Sequence, residues 1–457
     1  MSTNLAVSGR PDARARPRGR ALAGGGVVSA ATAVSGVLTF AFHVLAARTL
    51  GVDAYGQIAV LWAVLFVVAV ILFRPLEQTL SRTVAERLAR GEEAAGVVRT
   101  VCVLGLVVLG VVSALELALR GPITHRLFLG HGFLTWMLLA AIAAYALSYI
   151  VRGLVAGLRW FEFYALVLVV DAVARIVVAA PLVVVGSQAL AAVALVAAGV
   201  AGALVPLRLR AGRIRTALRG VENPSFRLGS ALAFAGPAGV IAAVDQLMTN
   251  GGPLLVRVFG GAESSKAAGV VFAATMLVRI PAYLFQGLAA SLLPNFTHLQ
   301  ASEDTGRFSR AVTRAAFVLF CVGVLLTVVT AVGGPRAMTV FGAGFRADRT
   351  DLVLLASGVA FYLTASTFSQ ALLSVDRGVL ACCPWVLSGI LFILGYAGAV
   401  GAPLHRISIA FVLAAATNLV GLSLAFAFAV TRRRGARAVR GNHGTVPAAN
   451  VGPARSE

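Results

Sequence analysis

Long apolar stretches separated by short polar segments run along most of the chain. The stretches are about 17 or more residues long, and their apolar residues do not alternate with polar ones. A helix rises about 1.5 Å per residue, so roughly 20 apolar residues cross the hydrocarbon core of a bilayer. Only helices and closed barrels satisfy their backbone there, and the lack of alternation argues against a barrel. The pattern therefore predicts an all-α polytopic membrane protein with about twelve transmembrane helices.

The predicted spans form two groups of six, divided by the longest polar break. They are Leu22–Ala47, Gln57–Phe73, Thr100–Leu119, Phe133–Val151, Ala165–Val185, Ala189–Leu207, Leu228–Val256, Ala267–Leu293, Ala315–Val332, Leu352–Val375, Val379–Val400 and Ile407–Val430. The domain organisation that follows is a disordered basic tail (1–21), a six-helix bundle (22–207), a basic cytoplasmic linker (208–227), a second six-helix bundle (228–430) and a second disordered basic tail (431–457).

Composition and charge agree with this assignment. Hydrophobic residues make up 59% of the chain and charged residues 12%, whereas a soluble domain averages about 25% charged. Of the 39 Lys and Arg, 28 lie on the side of the N-terminus and 9 on the opposite side. This asymmetry follows the positive-inside rule and places both termini in the cytoplasm. The net charge of +21 therefore indicates topology and contacts with membrane lipids, and we expect no nucleic-acid partner.

An internal repeat supports the division into two halves. Leu45–Gly56 and Leu255–Gly269 each contain an arginine at the end of an apolar helix, a glycine three residues later, and another glycine near the start of the next helix. The alignment gives two matched pairs, Arg48 with Arg257 and Gly51 with Gly260. Because six is even, the halves share one orientation and are related by an axis along the membrane normal. Such paired bundles commonly bind substrate between the halves and expose it alternately to each side.

Polar side chains mark the first and the seventh span. In the first span they share one helix face, which suits either a water-filled cavity or contacts between helices. They are Ser29, Thr32, Ser35, Thr39 and His43. The seventh span repeats the pattern with Gln246, Asn250, Pro253 and Arg257. We expect Thr249–Pro253 to interrupt that helix in its outer half, where unwound backbone must be buried in protein or line a cavity.

Four charged residues lie deep inside the predicted spans: Asp171, Arg175, Asp245 and Arg279. Glu116 is also within a span, but it is one turn from the outer end of the third span and can reach water. A charge at the bilayer centre costs about 2.5–3.5 kcal/mol, so each of them needs a partner or a function. Asp171 and Arg175 are one helical turn apart and could form a self-neutralised pair. Arg279 has no acid within one turn, and Asp245 could neutralise it from the neighbouring helix. The two aspartates are the candidates for structural pairing or for ion coupling.

The sequence contains no catalytic constellation. It lacks G-x-S-x-G, H-E-x-x-H and P-loop motifs, and its six histidines are scattered. Its four cysteines show neither a disulfide framework nor metal-ligand spacing. No predicted outer loop exceeds roughly 20 residues, which leaves little room for an enzyme active site outside the membrane. We therefore predict a non-enzyme with no catalytic residues, no metal and no cofactor.

Four stretches in order along the chain resemble the polysaccharide-exporter and O-antigen-type flippases of the multidrug/oligosaccharidyl-lipid/polysaccharide (MOP) superfamily. The resemblance extends from about Leu22 to Val430. The stretches are A-R-T-L-G-V-D-A-Y-G within Leu45–Gly56, the basic amphipathic segment Pro75–Glu92, the segment Ala268–Pro294 with its R-x-P and L-L-P motifs, and Phe341-Gly342. Thr249–Pro253 departs from the family pattern, because it lengthens the seventh span and leaves its register open.

The resemblance implies two six-helix bundles in a V around a cavity that opens alternately to each side of a bacterial plasma membrane. The family moves lipid-linked sugars, typically on a polyprenyl diphosphate, and basic cavity residues are thought to contact the diphosphate. Arg48 and Arg279 match the family pattern. Arg175 and Arg257 are added from burial and from the internal repeat, and all four are predicted substrate-binding residues. The expected partners are a lipid-linked glycan, membrane lipids and a glycan polymerase or other assembly proteins.

Other functions predict different residue requirements. A cation-coupled multidrug exporter of the same superfamily would favour acidic cavity residues, and the first span has none. A flippase of peptidoglycan precursors usually has fourteen helices. A scaffold of an envelope-polymer assembly complex would tolerate the loss of both Arg48 and Arg279. A glycan polymerase would instead depend on outer-loop residues such as Arg120, Arg126 or Arg346.

The substrate assignment predicts that Arg279→Ala impairs transport without removing the protein from the membrane. Arg279→Lys should restore only part of the rate, because an ammonium group lacks the two-pronged geometry with which guanidinium binds phosphate oxygens. The measurement is flipping of a polyprenyl-diphosphate oligosaccharide in proteoliposomes. Normal export by Arg279→Ala would remove Arg279 from the binding site.

Overall fold

Helices form nearly all of the protein that the structure describes. The structure is a computed structural model that describes residues 16–221, 228–261, 264–279, 305–375 and 377–443. Within these ranges, nine helices are long and apolar enough to cross a membrane, and the first holds two of the predicted spans. The chain is therefore an all-α, multi-pass membrane protein, as the apolar pattern predicts.

Twelve helices are numbered here in chain order. They are α1 (Arg16–Ala89), α2 (Ala95–Ala118), α3 (Gly132–Gly157), α4 (Phe161–Ala179), α5 (Gln188–Ala217), α6 (Leu228–Asn250), α7 (Gly252–Phe259), α8 (264–279, as far as it is described), α9 (Thr305–Ala337), α10 (Arg349–Ser374), α11 (Gly378–Gly398) and α12 (Pro403–His443). Short helical pieces lie at Arg120–Pro122, Ile123–Leu127, Leu182–Val185 and Met338–Phe341.

Helix α1 contains the first two predicted spans, which are joined by a kink at Gly51. Gly51 has φ 75° and ψ 175°, a conformation that glycine adopts readily because it has no Cβ. The second arm continues past Phe73 and Pro75 as far as Ala89. The amphipathic segment that follows the second span is therefore a direct extension of a membrane helix.

The seventh predicted span is divided between α6 and α7, within the segment expected to interrupt it. Helix α6 ends at Asn250, and α7 begins at Gly252 with Pro253 in its first turn. Proline has no N–H, so the carbonyl of Thr249 has no helical donor four residues later. The eighth predicted span is helical over its described part, and its remainder lies outside the described residues.

The structure corrects the predicted bounds of the tails and the linker. Helix α1 begins at Arg16 and α12 continues to His443, so residues 16–21 and 431–443 are helical although the sequence analysis assigned them to disordered tails. Helix α5 continues to Ala217, which makes the first half of the predicted linker helical. The backbone N–H of Glu93 then donates to the carbonyl of Val221 at 2.9 Å and attaches the linker to the end of α1.

Helix α1 is the element that connects the two halves. It packs against α3 and α4 in the first half and against α6 in the second. Its second arm runs along α6 from Trp62, which contacts Asn250, to Pro75, which lies close to Gly239. In the second half, α10 packs against α9 and α12, and α11 packs against α12. Side chains that meet on α1 are therefore placed at the boundary between the halves.

Candidate functional site

The two halves meet at the predicted extracytoplasmic end in a contact that we call the outer plug. Its residues are Phe40, Arg48, Val52, Tyr55 and Gly56 of the first half, and Ser265, Gly269, Val340, Phe341 and Phe345 of the second. Aromatic contacts cross the boundary between the halves. The rings of Phe40 and Phe341 are 5.5 Å apart edge to face, and those of Tyr55 and Phe345 are also 5.5 Å apart. The plug is therefore a packed, largely apolar contact.

Gly56 and Gly269 bring the two halves to backbone contact inside the plug. A Cβ added to Gly56 would overlap the carbonyl oxygen of Ser265 and lie 3.2 Å from the backbone nitrogen of Gly269. A Cβ added to Gly269 would lie 2.7 Å from the carbonyl oxygen of Val52. The neighbours are backbone atoms, which cannot rotate away. These two glycines lie at matching ends of the internal repeat, so the repeat marks the place where the halves touch.

The two arginines matched by the repeat also bind across the boundary, in what we call the outer latch. Arg48 Nε donates to the carbonyl of Val340, after α9, at 2.6 Å. Arg257 Nε donates to the carbonyl of Leu127, after α2, at 2.9 Å. Helices α2 and α9 are each the third span of their half. Each arginine therefore binds the chain that follows the third span of the opposite half, and the two contacts are related by the internal repeat.

Arg257 makes two further contacts within the second half. Its guanidinium donates to the hydroxyl of Ser264, and its Nη2 donates to Ser265 Oγ at 3.1 Å. The side chain is 3% exposed, so these donations take place away from solvent. In this conformation, all three nitrogens of the Arg257 guanidinium therefore donate to protein groups.

Arg175 is the centre of a polar network in the first half. Its guanidinium is paired with Asp171, one turn earlier on α4, and donates to Thr39 Oγ1 at 2.9 Å and to Tyr145 OH at 2.8 Å. It also lies over the ring of Trp62, 5.0 Å from the ring centroid. Thr39, from the predicted polar face of the first span, therefore serves in contact between helices.

Arg279 supports the interrupted helix in the second half. Its Nη1 donates to the carbonyl of Thr249 at 2.7 Å, and this is the carbonyl that loses its helical donor to Pro253. Asp245 accepts a hydrogen bond from Tyr362 OH and also interacts electrostatically with Arg279. A cavity of about 10 Å³, room for about one water molecule, is lined by Thr249 and other residues of this half.

The sequence analysis missed a charged cluster at the predicted cytoplasmic end of the first half, which we call the inner cluster. It consists of Arg74, Glu77, Tyr149, Arg152 and Tyr164. Arg152 Nη2 donates to Tyr164 OH at 3.1 Å, and Tyr164 OH donates to Glu77 Oε1 at 3.0 Å. Arg152 Nε also lies 3.4 Å from Glu77 Oε1, and the guanidinium lies 4.7 Å from the ring centroid of Tyr149. Arg152 and Glu77 are therefore bound to each other and to a tyrosine hydroxyl.

Arg74 and Arg152 of the inner cluster each have a buried Nε with no hydrogen-bond acceptor among the described residues. Arg152 nevertheless donates to Tyr164 through Nη2 and lies within ion-pair distance of Glu77, whereas Arg74 takes part in neither of these contacts. The Arg74 guanidinium interacts electrostatically with Glu77 and Arg152 in its own half and with Asp245 of α6 in the other. Arg74 therefore lies at the boundary between the halves. The sequence did contain a signal, because Arg74 and Glu77 share a helix face if the helix continues through Pro75. The predicted span ended at Phe73, so both residues were assigned to a loop.

The structure does not bring the four predicted substrate arginines into one site. Arg48 and Arg257 lie in the outer latch, Arg175 lies within the first half, and Arg279 lies within the second. Each of them donates to protein groups in this conformation. Their assignment to substrate stays a prediction, while Arg74 is a further candidate, because no described residue accepts a hydrogen bond from its Nε.

Comparison with known proteins gives relatives without an assigned function. No family model matches the chain. An uncharacterised protein of Mycobacterium bovis is 28% identical over 385 residues, which cover 82% of this chain and 84% of the relative. An uncharacterised protein of Mycobacterium tuberculosis strain H37Rv is 28% identical over 365 residues, covering 76% of this chain and 77% of the relative.

Solved structures with the same fold are transporters. An inward-facing multidrug resistance MATE family transporter of the MOP superfamily aligns with a TM-score of 0.70 and 16% identity over 90% of this chain and 98% of that one. A mutant MATE transporter of Vibrio cholerae aligns with a TM-score of 0.65 and 14% identity over 90% and 97%. These likenesses define the class, a polytopic membrane protein with the fold of MOP-superfamily transporters.

The backbone contact at Gly56 predicts that one added methyl group strongly weakens the closure of the plug. Gly56→Ala would force the backbones of the halves apart, and overpacking of this kind costs about 1–3 kcal/mol. We expect the open fraction of the plug to rise roughly 5- to 150-fold. Spin labels at positions 53 and 266, whose side chains lie 3.7 Å apart across the plug, would report the distance. Gly110→Ala is the control, because a Cβ there has no neighbour within 4 Å. An unchanged distance distribution in Gly56→Ala would contradict the role of the plug.

The contact between Arg279 and Thr249 predicts a rescue. Arg279→Ala removes a donor from a buried carbonyl, at a cost of about 1–3 kcal/mol. Pro253→Ala restores a backbone N–H for the same carbonyl, so the double variant should recover part of the lost thermal stability. Unfolding temperatures of the two single variants and the double variant in detergent give the coupling. Additive losses would show that Arg279 does not stabilise the interrupted helix in this way.

Proposed function

We propose that the chain is a MOP-superfamily transporter that moves an anionic lipid-linked substrate, a polyprenyl-diphosphate oligosaccharide, across the plasma membrane by alternating access. The proposal rests chiefly on Arg74, which interacts electrostatically with Asp245 of the other half and whose Nε has no acceptor in the described part of the chain. The fold supplies the two-bundle architecture that such a cycle requires. The resemblance of the sequence motifs to polysaccharide exporters supports the same substrate class.

The charges around Arg74 leave a positive excess. Arg74 and Arg152 share a single carboxylate, Glu77, in the inner cluster. On the facing helices, Asp245 is opposed by Arg279 and also accepts a hydrogen bond from Tyr362. A buried charge without a full partner is expensive, so an anion that enters between the halves gains the attraction of the surplus guanidinium.

A diphosphate suits this surplus charge by geometry and by position. Guanidinium binds phosphate oxygens through two parallel N–H donors and stays charged at every physiological pH. Arg74 lies near the predicted cytoplasmic end, the side on which such a lipid-linked substrate would be loaded. The lipid tail can remain in the bilayer while the headgroup passes between the halves. Other arginines can then meet the headgroup after the outer latch opens.

A cation-coupled multidrug exporter of the same superfamily is the alternative, and the inward-facing transporter with the same fold is a multidrug resistance transporter. An exporter of cationic drugs would use carboxylates that are available to the drug. Asp171 accepts hydrogen bonds from Arg175 and from Tyr145, and Asp245 accepts one from Tyr362. Because both acids are already bound by protein donors, these contacts favour the anionic substrate.

The first experiment is flipping of a fluorescent polyprenyl-diphosphate oligosaccharide in proteoliposomes. Arg74→Gln should lower the rate by about 10- to 100-fold, the loss expected for a charge-assisted hydrogen bond. Arg74→Lys should recover only part of it. The matched control is Arg82→Gln on the same helix, where the side chain is 45% exposed and paired with Glu86.

Two outcomes would contradict the proposal. An Arg74→Gln variant that flips the lipid at the wild-type rate would remove Arg74 from the site. If the wild-type protein moves no diphosphate-linked glycan but exports a cationic dye such as ethidium, multidrug export replaces lipid flipping as the proposed function.

A further inference from the structure

His43 lies in an aromatic cage at the boundary between the halves. Its side chain is completely buried. The ring centroids of Phe42, Trp62 and Phe272 are 5.1, 4.5 and 4.8 Å from that of His43. Phe272 belongs to α8 of the second half, whereas the other two belong to α1. Separation of the halves would therefore remove one wall of the cage.

The hydrogen bonding of His43 is incomplete. Nδ1 lies 3.4 Å from the hydroxyl of Tyr55, and Nε2 is buried without a partner among the described residues. The cage can hold an imidazole that has one nitrogen without a hydrogen bond, provided that the ring is neutral. A protonated imidazole would carry two N–H donors and a full charge, with one donor facing apolar rings.

The charged and titratable groups around His43 also oppose a positive charge. From α4, Arg175 lies on the ring of Trp62 and interacts with His43 electrostatically. Asp171 and Tyr145 are bound to Arg175 and not to the imidazole. Among the described residues, the aromatic rings in contact with His43 are those of Phe42, Tyr55 and Trp62 on α1 and of Phe272 on α8. The closed plug therefore selects the neutral imidazole.

His43 lies about 12 Å along the helix from Gly51, at a rise of about 1.5 Å per residue. The plug lies between His43 and the predicted outer face. Opening of the plug withdraws Phe272 and exposes the imidazole to water from that side. Water can solvate an imidazolium, which the closed cage cannot do.

We propose that His43 is a proton-binding site that opens with the outer plug and must lose its proton before the plug closes. The open state then binds more protons than the closed state, so external acid favours the open state. A single linked proton changes the ratio of the states by at most about tenfold per pH unit. This inference concerns the coupling ion and is independent of the substrate assigned to Arg74.

The test measures the plug in lipid nanodiscs, without substrate. Spin labels replace Asp53 and Lys266 on a background lacking Cys102, Cys321, Cys382 and Cys383, and distances are recorded from pH 5 to pH 8. The wild-type cage should show an open fraction that rises several-fold towards pH 5. His43→Phe, which retains an aromatic ring, should give the same open fraction at every pH.

Controls separate His43 from other histidines and from misfolding. His405→Asn alters a histidine of the second half that lies 2.6 Å from Asp351, and it should leave the pH response intact. If His43→Phe does not fold, His43→Gln serves instead and should also be flat with pH. A wild-type distance that does not depend on pH would overturn the proposal, as would a pH response that survives both His43 substitutions.

Discussion

The structure depends on one constraint, that a guanidinium group inside a membrane must find acceptors within the protein. Arg175 finds them in Asp171 and neighbouring hydroxyl groups, and Arg279 finds one in the carbonyl that Pro253 leaves without a helical donor. Arg257 finds them in a carbonyl of the opposite half and in two serines. Each set of contacts links elements that are distant in sequence, so the buried arginines connect helices to one another. Arg74 is in none of these contacts, and its buried Nε has no acceptor among the described residues, so it is a candidate for an external ligand.

The arginine contacts between helices are unevenly distributed across the membrane. Those at the predicted outer end cross between the halves, and they coincide with the closest backbone approach at Gly56 and Gly269. At the predicted inner end, the described contact between Arg152 and Glu77 stays within one half. The halves are therefore held together at the predicted outer end, whereas charged groups lie near their boundary at the predicted inner end. This arrangement is compatible with one of the two states of the proposed alternating-access cycle.

The length of the apolar stretches predicted the helices well, because a bilayer requires a minimum hydrophobic length whatever the partners are. The pair Asp171 and Arg175 and the interruption before Pro253 were also predictable, since each depends on neighbours within one turn. The contacts of Arg48 and Arg257 were not, because their acceptors are 292 and 130 residues away in sequence. Arg74 was missed for a different reason: a helix that continues through Pro75 carries its charged residues farther than hydropathy indicates.

The contact between Gly56 and Gly269 also bears on how such a chain could arise. Because the two glycines occupy equivalent positions in the repeat, the surface around one is nearly complementary to the surface around the other. A single six-helix half therefore carries a surface that matches a second copy of itself. A half-length ancestor could pair through one glycine across a two-fold axis. After duplication and fusion, the two copies could diverge everywhere except where their backbones touch.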